Sequence, residues 1–154
     1  MKFSVKQAQR MLFMLGVSRI PMIFFCRPKV LHLDENSCKI RIRLRRRTRN
    51  HLGSMYIAVF TVGADISAGI FAFLLVRERK IKASIAFKSF KADYHKRAMG
   101  DVYFICDSGK EIAEMVQESQ SSAERVNRMI HVKAVCEEEE VASMEIELSV
   151  KVKQ

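Results

Sequence analysis

A run of apolar residues at positions 54–76, interrupted by one charged side chain, constrains this chain more than any other feature. The run is long enough to span a bilayer, which takes about 20 apolar residues. Its one charged residue is Asp65, and an ionised carboxylate in an apolar segment is costly unless it is paired, hydrogen-bonded or used. Since a helix that is apolar on all sides is typically buried on all sides, the run predicts a core helix and no integral membrane segment.

Small and polar residues surround Asp65 at helical spacing, whereas the bulky residues of the run mostly lie elsewhere around the predicted helix. Together with Asp65, this face comprises Ser54, Ala58, Thr61, Ala68, Gly69 and Ala72. We expect another backbone or a ligand to approach the helix closely along this face. Ser54 is also the expected N-cap of the helix.

Alternating apolar and polar residues predict strands before and after this helix. Residues 38–45 alternate most clearly, with Ile40, Ile42 and Leu44 on one side and Arg41, Arg43 and Arg45 on the other. Further strands are expected at residues 30–33, 81–88, 102–106, 125–136 and 142–152. One-faced alternation on successive strands predicts an antiparallel sheet with one wet face.

Two further helical segments complete the predicted architecture. Residues 1–28 form a helical extension that covers the sheet as an amphipathic helix, and Ser108 and Glu111 fit a capping box at the start of a shorter helix. The fold class is therefore α+β: a curved antiparallel sheet wraps one long apolar helix, in a single domain at residues 29–154.

The charge is uneven along the chain. The formal net charge is +10, but residues 1–100 carry 21 Lys and Arg against 5 Asp and Glu, whereas residues 101–154 carry 6 against 12. This asymmetry predicts a basic surface that faces anions. Because no aromatic residue lies among the basic residues between positions 39 and 49, a nucleic-acid partner is not expected.

The four cysteines are Cys26, Cys38, Cys106 and Cys136, and no two are spaced as a C-x-x-C pair. This pattern predicts free thiols in a reducing, cytoplasmic compartment, with neither a disulfide framework nor a metal site.

The residues around the helix start resemble a known family. Asn50, Gly53 and Ser54 fit an N-x-x-G-[TS] segment, and Asp65 follows on the helix, as in PaaI-like acyl-CoA thioesterases of the hotdog-fold superfamily. The resemblance extends over residues 29–152 and is closest to a branch described as a domain of unknown function. It implies a hotdog fold and hydrolysis of an acyl-CoA or acyl-carrier-protein thioester.

The resemblance also implies roles for individual residues. Asp65 would be the general base, Asn50 would orient the thioester carbonyl or the attacking water, and Tyr56 would donate through its hydroxyl. The remaining substrate-binding candidates are Gly53, Ser54, Ile57, Ala58 and Thr61 near the helix start, whose amides could polarise a carbonyl, and Arg41, Arg43 and Arg45, which could hold the phosphates of coenzyme A.

In this family the pocket lies at a homodimer interface, so Asp65 of one subunit would act with the Asn50 loop of the other. Assembly of dimers into tetramers is left open. Coenzyme A enters only as part of the substrate, and the reaction needs neither a metal nor another cofactor.

The chain departs from the family pattern where Tyr56, Ile57 and Ala58 stand in place of His-Gly-Gly. The backbone amides survive this change, but the histidine donor is lost. The alternative function is therefore an acyl-binding or regulatory module without catalysis. A third possible function is that of a basic peripheral protein that acts through its arginines.

Each site assignment has a structural alternative. Asp65 could be a carboxylate bonded to backbone or to a partner subunit, Asn50 a loop residue and Tyr56 a packing residue. The arginines could form a solvated strand face.

Overall fold

A computed structural model of the protein describes residues 4–153 and has an α+β fold. The helices are α1 (Val5–Ser18), α2 (Pro21–Cys26), α3 (Ile57–Glu78) and α4 (Gly109–Ser122). The strands are β1 (Lys29–Leu33), β2 (Cys38–Ile42), β3 (Lys82–Tyr94), β4 (Val102–Cys106), β5 (Val126–Cys136) and β6 (Glu139–Lys153). These elements follow the predicted order, except that two helices, not one, precede β1.

All six strands form one antiparallel sheet in the order β1-β2-β4-β5-β6-β3. The turn between β1 and β2 is held by Asp34, whose Oδ1 accepts hydrogen bonds from the amides of Asn36 and Ser37 at 2.8 and 2.7 Å. Strand β3 lies at one edge of the sheet, where one of its two sides has no strand partner within residues 4–153. A bulge interrupts its pairing with β6 between Phe87 and Phe90.

Helix α3 is the apolar run, and the sheet curves around it. By length and composition it could cross a membrane, but 72% of its most apolar 18-residue window is buried inside the protein. Gly63 lies so close to β4 that a Cβ atom there would come within 2.4 Å of the Phe104 ring. The small residues of α3 therefore allow close packing against the sheet, and the apolar character reflects a core helix.

The predicted amphipathic helix at the N-terminus is divided in two. The first helix ends at Ser18, and Pro21 begins α2 at a position where its missing amide hydrogen removes no helical hydrogen bond. Gln9 ties α1 to β1, because its Nε2 donates to the Pro28 carbonyl and its Oε1 accepts from the Val30 amide. Helix α2 packs against α3.

One predicted strand boundary was wrong for a clear physical reason. The strand expected at residues 38–45 ends at Ile42, because Ile42 pairs with Val102, the first residue of β4. Beyond that point the Leu44 amide donates to Asp101 Oδ1 at 3.0 Å and the chain folds into a turn. Arg43 and Arg45 therefore lie on a loop, and only Arg41 lies on the strand.

Two predicted caps were also wrong. The N-cap of α3 is Tyr56, and Ser54 belongs to the preceding loop. Ser108 precedes α4 but makes no side-chain capping bond. Asn36 caps that helix instead, accepting from the Gly109 amide through its carbonyl and from the Lys110 amide through its side chain.

Candidate functional site

Asp65 lies on α3 with its side chain mostly buried among apolar residues. Within residues 4–153 its carboxylate has no hydrogen bond and no ion pair. Burial raises the pKa of this carboxyl from 3.8 to about 6, because an ionised group loses solvation in an apolar environment. The structural alternative, a carboxylate bonded to backbone, is not observed within the described chain.

Asp65 lines a partly open space that we name the Asp65 cavity. It has a volume of about 150 Å³ and lies between α1, α2, α3 and β3. Its apolar walls are formed by Met11, Leu12, Leu15, Ile20, Ile23, Ile66, Gly69, Ile70, Phe73, Ile85 and Phe87. The site therefore combines one ionisable group with a lining that suits an apolar ligand.

A second, more open apolar space lies outside this cavity, and we name it the outer groove. It has a volume of about 580 Å³ and lies between α1, α2 and the start of β1. Its lining residues are Gln9, Leu12, Phe13, Ile23, Phe24, Arg27, Pro28 and Lys29. Leu12 and Ile23 line both spaces, so only a thin apolar wall separates the outer groove from the Asp65 cavity.

Asn50 organises the loop that precedes α3. Its Oδ1 accepts from the amides of Leu52 and Ser54 at 2.9 and 3.1 Å, and its Nδ2 donates to Ser54 Oγ at 2.9 Å. Gly53, in the same loop, has a φ of +78°, a conformation that glycine adopts without strain. This network explains why the asparagine, glycine and serine occur together.

The start of α3 is exposed. Tyr56 and Ile57 are about half exposed and Thr61 is exposed, while Ala58 is half-buried. The Tyr56 amide donates to the Thr48 carbonyl at 2.8 Å, whereas the amides of Ile57 and Ala58 have no acceptor within residues 4–153. Two free amides at a helix N-terminus can bind a developing negative charge.

Ile57, but not Tyr56, Ala58 or Thr61, borders a third space of about 360 Å³, which we name the helix-start pocket. It is lined by Asn50, Leu52, Ser54, Met55, Ile57, Phe60, Tyr94, His95, Lys96, Arg97 and Ala98. Within one chain, Asn50 and Asp65 therefore lie in different pockets. Tyr94 packs edge-on against Phe60 at 5.1 Å and was not found by sequence reasoning, because it lies on a strand longer than the alternation indicated.

The arginines form a fourth space, the arginine pocket, with a volume of about 910 Å³. Seven basic side chains line it: Arg27, Lys29, Arg41, Arg43, Arg45, Arg46 and Arg47, together with Phe25, Cys26 and Thr48. Arg41 Nε is buried without a hydrogen-bond partner among the described residues, and the nearest carboxylate oxygen, Asp101 Oδ2, lies 4.0 Å away. This buried donor and the positive lining favour an anionic ligand.

Thr48 holds the arginine loop in shape. The side chain is buried, and its hydroxyl donates to the Arg43 carbonyl at 2.7 Å and accepts from the Arg45 amide at 2.8 Å. The pocket is thus built on a fixed backbone. Sequence reasoning found Arg41, Arg43 and Arg45 but missed Arg27 and Lys29, which α2 and β1 bring to the same place.

The fold was compared with solved structures. A Pseudomonas aeruginosa protein of unknown function, described as a probable thioesterase, matches with a TM-score of 0.79 at 17% identity, over 99% of both chains. A mutant of a P. aeruginosa thioesterase matches with a TM-score of 0.74 at 10% identity, over 99% of this chain and 97% of the other. A Chlorobaculum tepidum protein of unknown function matches with a TM-score of 0.82 at 11% identity, over 96% of both chains.

At these identities the likeness establishes the fold, which is the hotdog fold found in thioesterases. A search of curated proteins found no match to this chain. A family model described as a domain of unknown function (DUF4442) matches residues 9–150, which include most of α1 and all of α2. The chain therefore belongs to the DUF4442 family, and it has the hotdog fold.

Proposed function

We propose that this protein hydrolyses acyl thioesters with Asp65 as the general base. The observation that carries the proposal is a buried, unpaired carboxylate whose pKa is raised to about 6 beside an apolar cavity. Such a group is mostly ionised at neutral pH, yet basic enough to accept a proton from water. Structural neighbours described as thioesterases support the same reaction class.

In the proposed reaction Asp65 accepts a proton from a water molecule as the water oxygen attacks the thioester carbonyl carbon. A tetrahedral intermediate forms, and its oxygen carries the negative charge. When the intermediate collapses, the carbon–sulfur bond breaks and the thiolate leaves. The thiolate takes up the proton that Asp65 accepted, which regenerates the carboxylate, and the products are a carboxylic acid and a free thiol.

The free amides of Ile57 and Ala58 are the proposed donors to the oxyanion. Because the helix-start pocket and the Asp65 cavity are separate within one chain, one complete site needs the helix start of a second subunit. Within that arrangement Asn50 holds the loop that presents the helix start, and Tyr56 places its hydroxyl beside the substrate. Thr61, Gly53 and Ser54 would line the remaining approach.

A homodimer is supported by the sheet edge. Strand β3 has 13 residues, lies at the edge, and contributes Ile85 and Phe87 to the Asp65 cavity. A long edge strand presents unpaired amides and carbonyls that favour pairing with another strand. Pairing of β3 with its copy would bring a second subunit next to each Asp65 cavity.

The shapes and charges of the pockets support a substrate with an apolar and an anionic part. The outer groove and the Asp65 cavity suit an acyl chain, and Arg41, Arg43 and Arg45 suit the phosphates of coenzyme A or the acidic surface of a carrier protein. The outer groove and the arginine pocket share Arg27 and Lys29, so both parts could be held at once. We place this activity in the cytoplasm.

The test is hydrolysis of a panel of acyl-CoA thioesters, measured by the release of free thiol. The wild-type protein should turn over at least one member, and Asp65→Asn should reduce kcat by at least about a hundredfold while preserving the fold. Glu124→Gln, which neutralises an exposed carboxylate between α4 and β5, is the matched control and should keep full activity. Unchanged turnover in Asp65→Asn would remove the role proposed for Asp65.

One observation favours the alternative, an acyl-binding module without catalysis. The side chain of Asn50 makes its hydrogen bonds within its own loop. Tyr56 stands where PaaI-like thioesterases have a histidine. A binding module would bind acyl-CoA without releasing thiol from any member of the panel. Calorimetry alongside the hydrolysis assay separates these two functions.

A further inference from the structure

The two N-terminal helices expose an unusual number of bulky apolar side chains. Seven lie in the 13 residues from Phe13 to Phe25: Phe13, Met14, Val17, Ile20, Met22, Phe24 and Phe25. Phe13 and Val17 are each 59% exposed. Isolated exposed apolar residues are common, but a cluster of this size marks a surface that contacts a partner or a membrane.

This surface, which we name the N-terminal apolar face, is the outer side of helices whose inner side is already used. On α1, Met11 and Leu12 are buried against the core, whereas Phe13 and Met14 point away from it. Phe13 contacts the Phe24 ring of α2 edge-on at 6.1 Å, but both rings remain more than 40% exposed. The helix is apolar on two sides, and packing within the chain accounts for only one of them.

Cationic groups are interleaved with the exposed aromatic rings. The Arg27 guanidinium lies over the Phe24 ring at 5.9 Å, and the Arg47 guanidinium lies over the Phe25 ring at 5.8 Å. Phe25 and both arginines also line the arginine pocket. The chain has no Asp or Glu before Asp34, so no carboxylate from the N-terminal helices offsets this charge.

The combination of exposed apolar side chains and arginines distinguishes between possible binding partners of the N-terminal apolar face. An acidic protein surface would satisfy the arginines but leave the apolar side chains against a polar partner. A second copy seated on the same face would bring two arginine clusters together, which is electrostatically unfavourable. An anionic bilayer offers phosphates at its surface and acyl chains just below it, and so satisfies both.

We propose that the N-terminal apolar face docks on anionic phospholipid membranes. The exposed side chains of α1 and α2 enter the boundary between headgroups and acyl chains, and Arg27 and Arg47 bind lipid phosphates at the level of the headgroups. The protein lies on the membrane and does not span it, because α3 remains in the core. Phe13, Phe24 and Arg27 also line the outer groove, so docking and acyl binding use adjoining surfaces, but vesicle binding is measured without the hydrolytic reaction.

The test is co-sedimentation with vesicles of phosphatidylcholine alone and of phosphatidylcholine and phosphatidylserine in equal parts. We expect binding to the mixed vesicles and binding at least about tenfold weaker to the neutral ones. The Phe13→Ser, Met14→Ser double variant should lose binding through lost insertion. The Arg27→Glu, Arg47→Glu double variant should weaken binding by at least about tenfold through lost phosphate contacts.

Matched controls change the same properties elsewhere. Met129→Ser removes an exposed apolar side chain on β5, and Lys110→Glu with Lys133→Glu reverses two exposed charges on α4 and β5. Both should bind the mixed vesicles as the wild type does. Circular dichroism and gel filtration establish that each variant folds and keeps its oligomeric state.

Three outcomes would overturn the proposal. The first is that the folded wild-type protein fails to bind the mixed vesicles. The second is that the controls lose as much binding as the variants in the N-terminal apolar face, which would indicate attraction by net charge alone. The third is that the Phe13→Ser, Met14→Ser double variant changes its oligomeric state in gel filtration but binds vesicles as the wild type does. That result would assign this face to a second copy of the chain.

Discussion

Leu12 of α1 and Ile23 of α2 form the wall between the outer groove and the Asp65 cavity, since both residues line both spaces. An acyl chain that enters the groove would need these two side chains to move aside before its thioester could lie beside Asp65. The N-terminal helices therefore cover the proposed catalytic carboxylate, and the packing at two positions controls access to it.

Replacing Leu12 by Ala should open this wall. We expect the ratio of kcat/KM for long acyl chains to that for short ones to rise. The free energy of unfolding should fall by about 2–4 kcal/mol, because a buried leucine is truncated. Leu33→Ala on β1 is the control, since Leu33 is buried but lines neither space. An equal change of chain-length preference in both variants would contradict the access route.

The raised pKa of Asp65 predicts a pH dependence of stability. Because the folded-state pKa, about 6, lies above the value of 3.8 for the unfolded chain, the stabilisation due to this group is present below about pH 4 and lost as pH rises through 6. Asp65→Asn should therefore be more stable than the wild type by about 2–3 kcal/mol at pH 8. Near pH 4 the two proteins should be nearly equal. Urea unfolding at both pH values measures this difference.

The arginine loop predicts a selective effect on substrates that carry phosphate. Replacing both Arg43 and Arg45 by Ala should raise KM for acyl-CoA by about tenfold, a loss of roughly 1.4 kcal/mol of binding. KM for a short thioester without coenzyme A should not change. Arg77→Ala with Arg79→Ala, at the far end of α3, is the control and should alter neither value. Equal effects of the Arg43 and Arg45 change on both substrates would remove the arginine pocket from substrate binding.

Because α4 packs closely against the β1–β2 turn, adding one methyl group at Gly109 should lower the stability of the fold markedly. A Cβ atom at Gly109 would come within 2.4 Å of the Glu35 carbonyl oxygen, and a backbone atom yields less readily than the end of a side chain. Gly109→Ala should lower the free energy of unfolding by about 2 kcal/mol. Gly100→Ala, whose Cβ would meet its nearest atom at an ordinary 3.4 Å, should cost much less, and thermal unfolding compares the two.

Local pattern was sufficient to predict most of the fold. The apolar run with Asp65 predicted the core helix, and two-residue alternation predicted the strands, because each feature depends on which face of an element is buried. The boundaries depended on distant residues. Strand β2 ends at Ile42, because its partner Val102 is the first residue of β4. Helix α4 is capped by Asn36, which lies more than 70 residues earlier in the chain.

The candidate site was predictable only in part for the same reason. Asp65 and Asn50 were identified from charge and motif. The Asp65 cavity was not, because its walls come from α1, α2 and β3, whose approach to α3 depends on tertiary packing. Likewise Arg27 and Lys29 join the arginine pocket only because the chain folds back between α2 and β1.

The pH dependence of kcat/KM for acyl-CoA hydrolysis tests the central claim most directly. If Asp65 is the base, kcat/KM should rise about tenfold per pH unit at low pH and level off above a pKa near 6, because only the ionised carboxylate accepts the proton. Asp65→Asn should abolish this rise together with turnover. A wild-type profile without an inflection near 6, or an Asp65→Asn enzyme that retains the profile, would contradict the account.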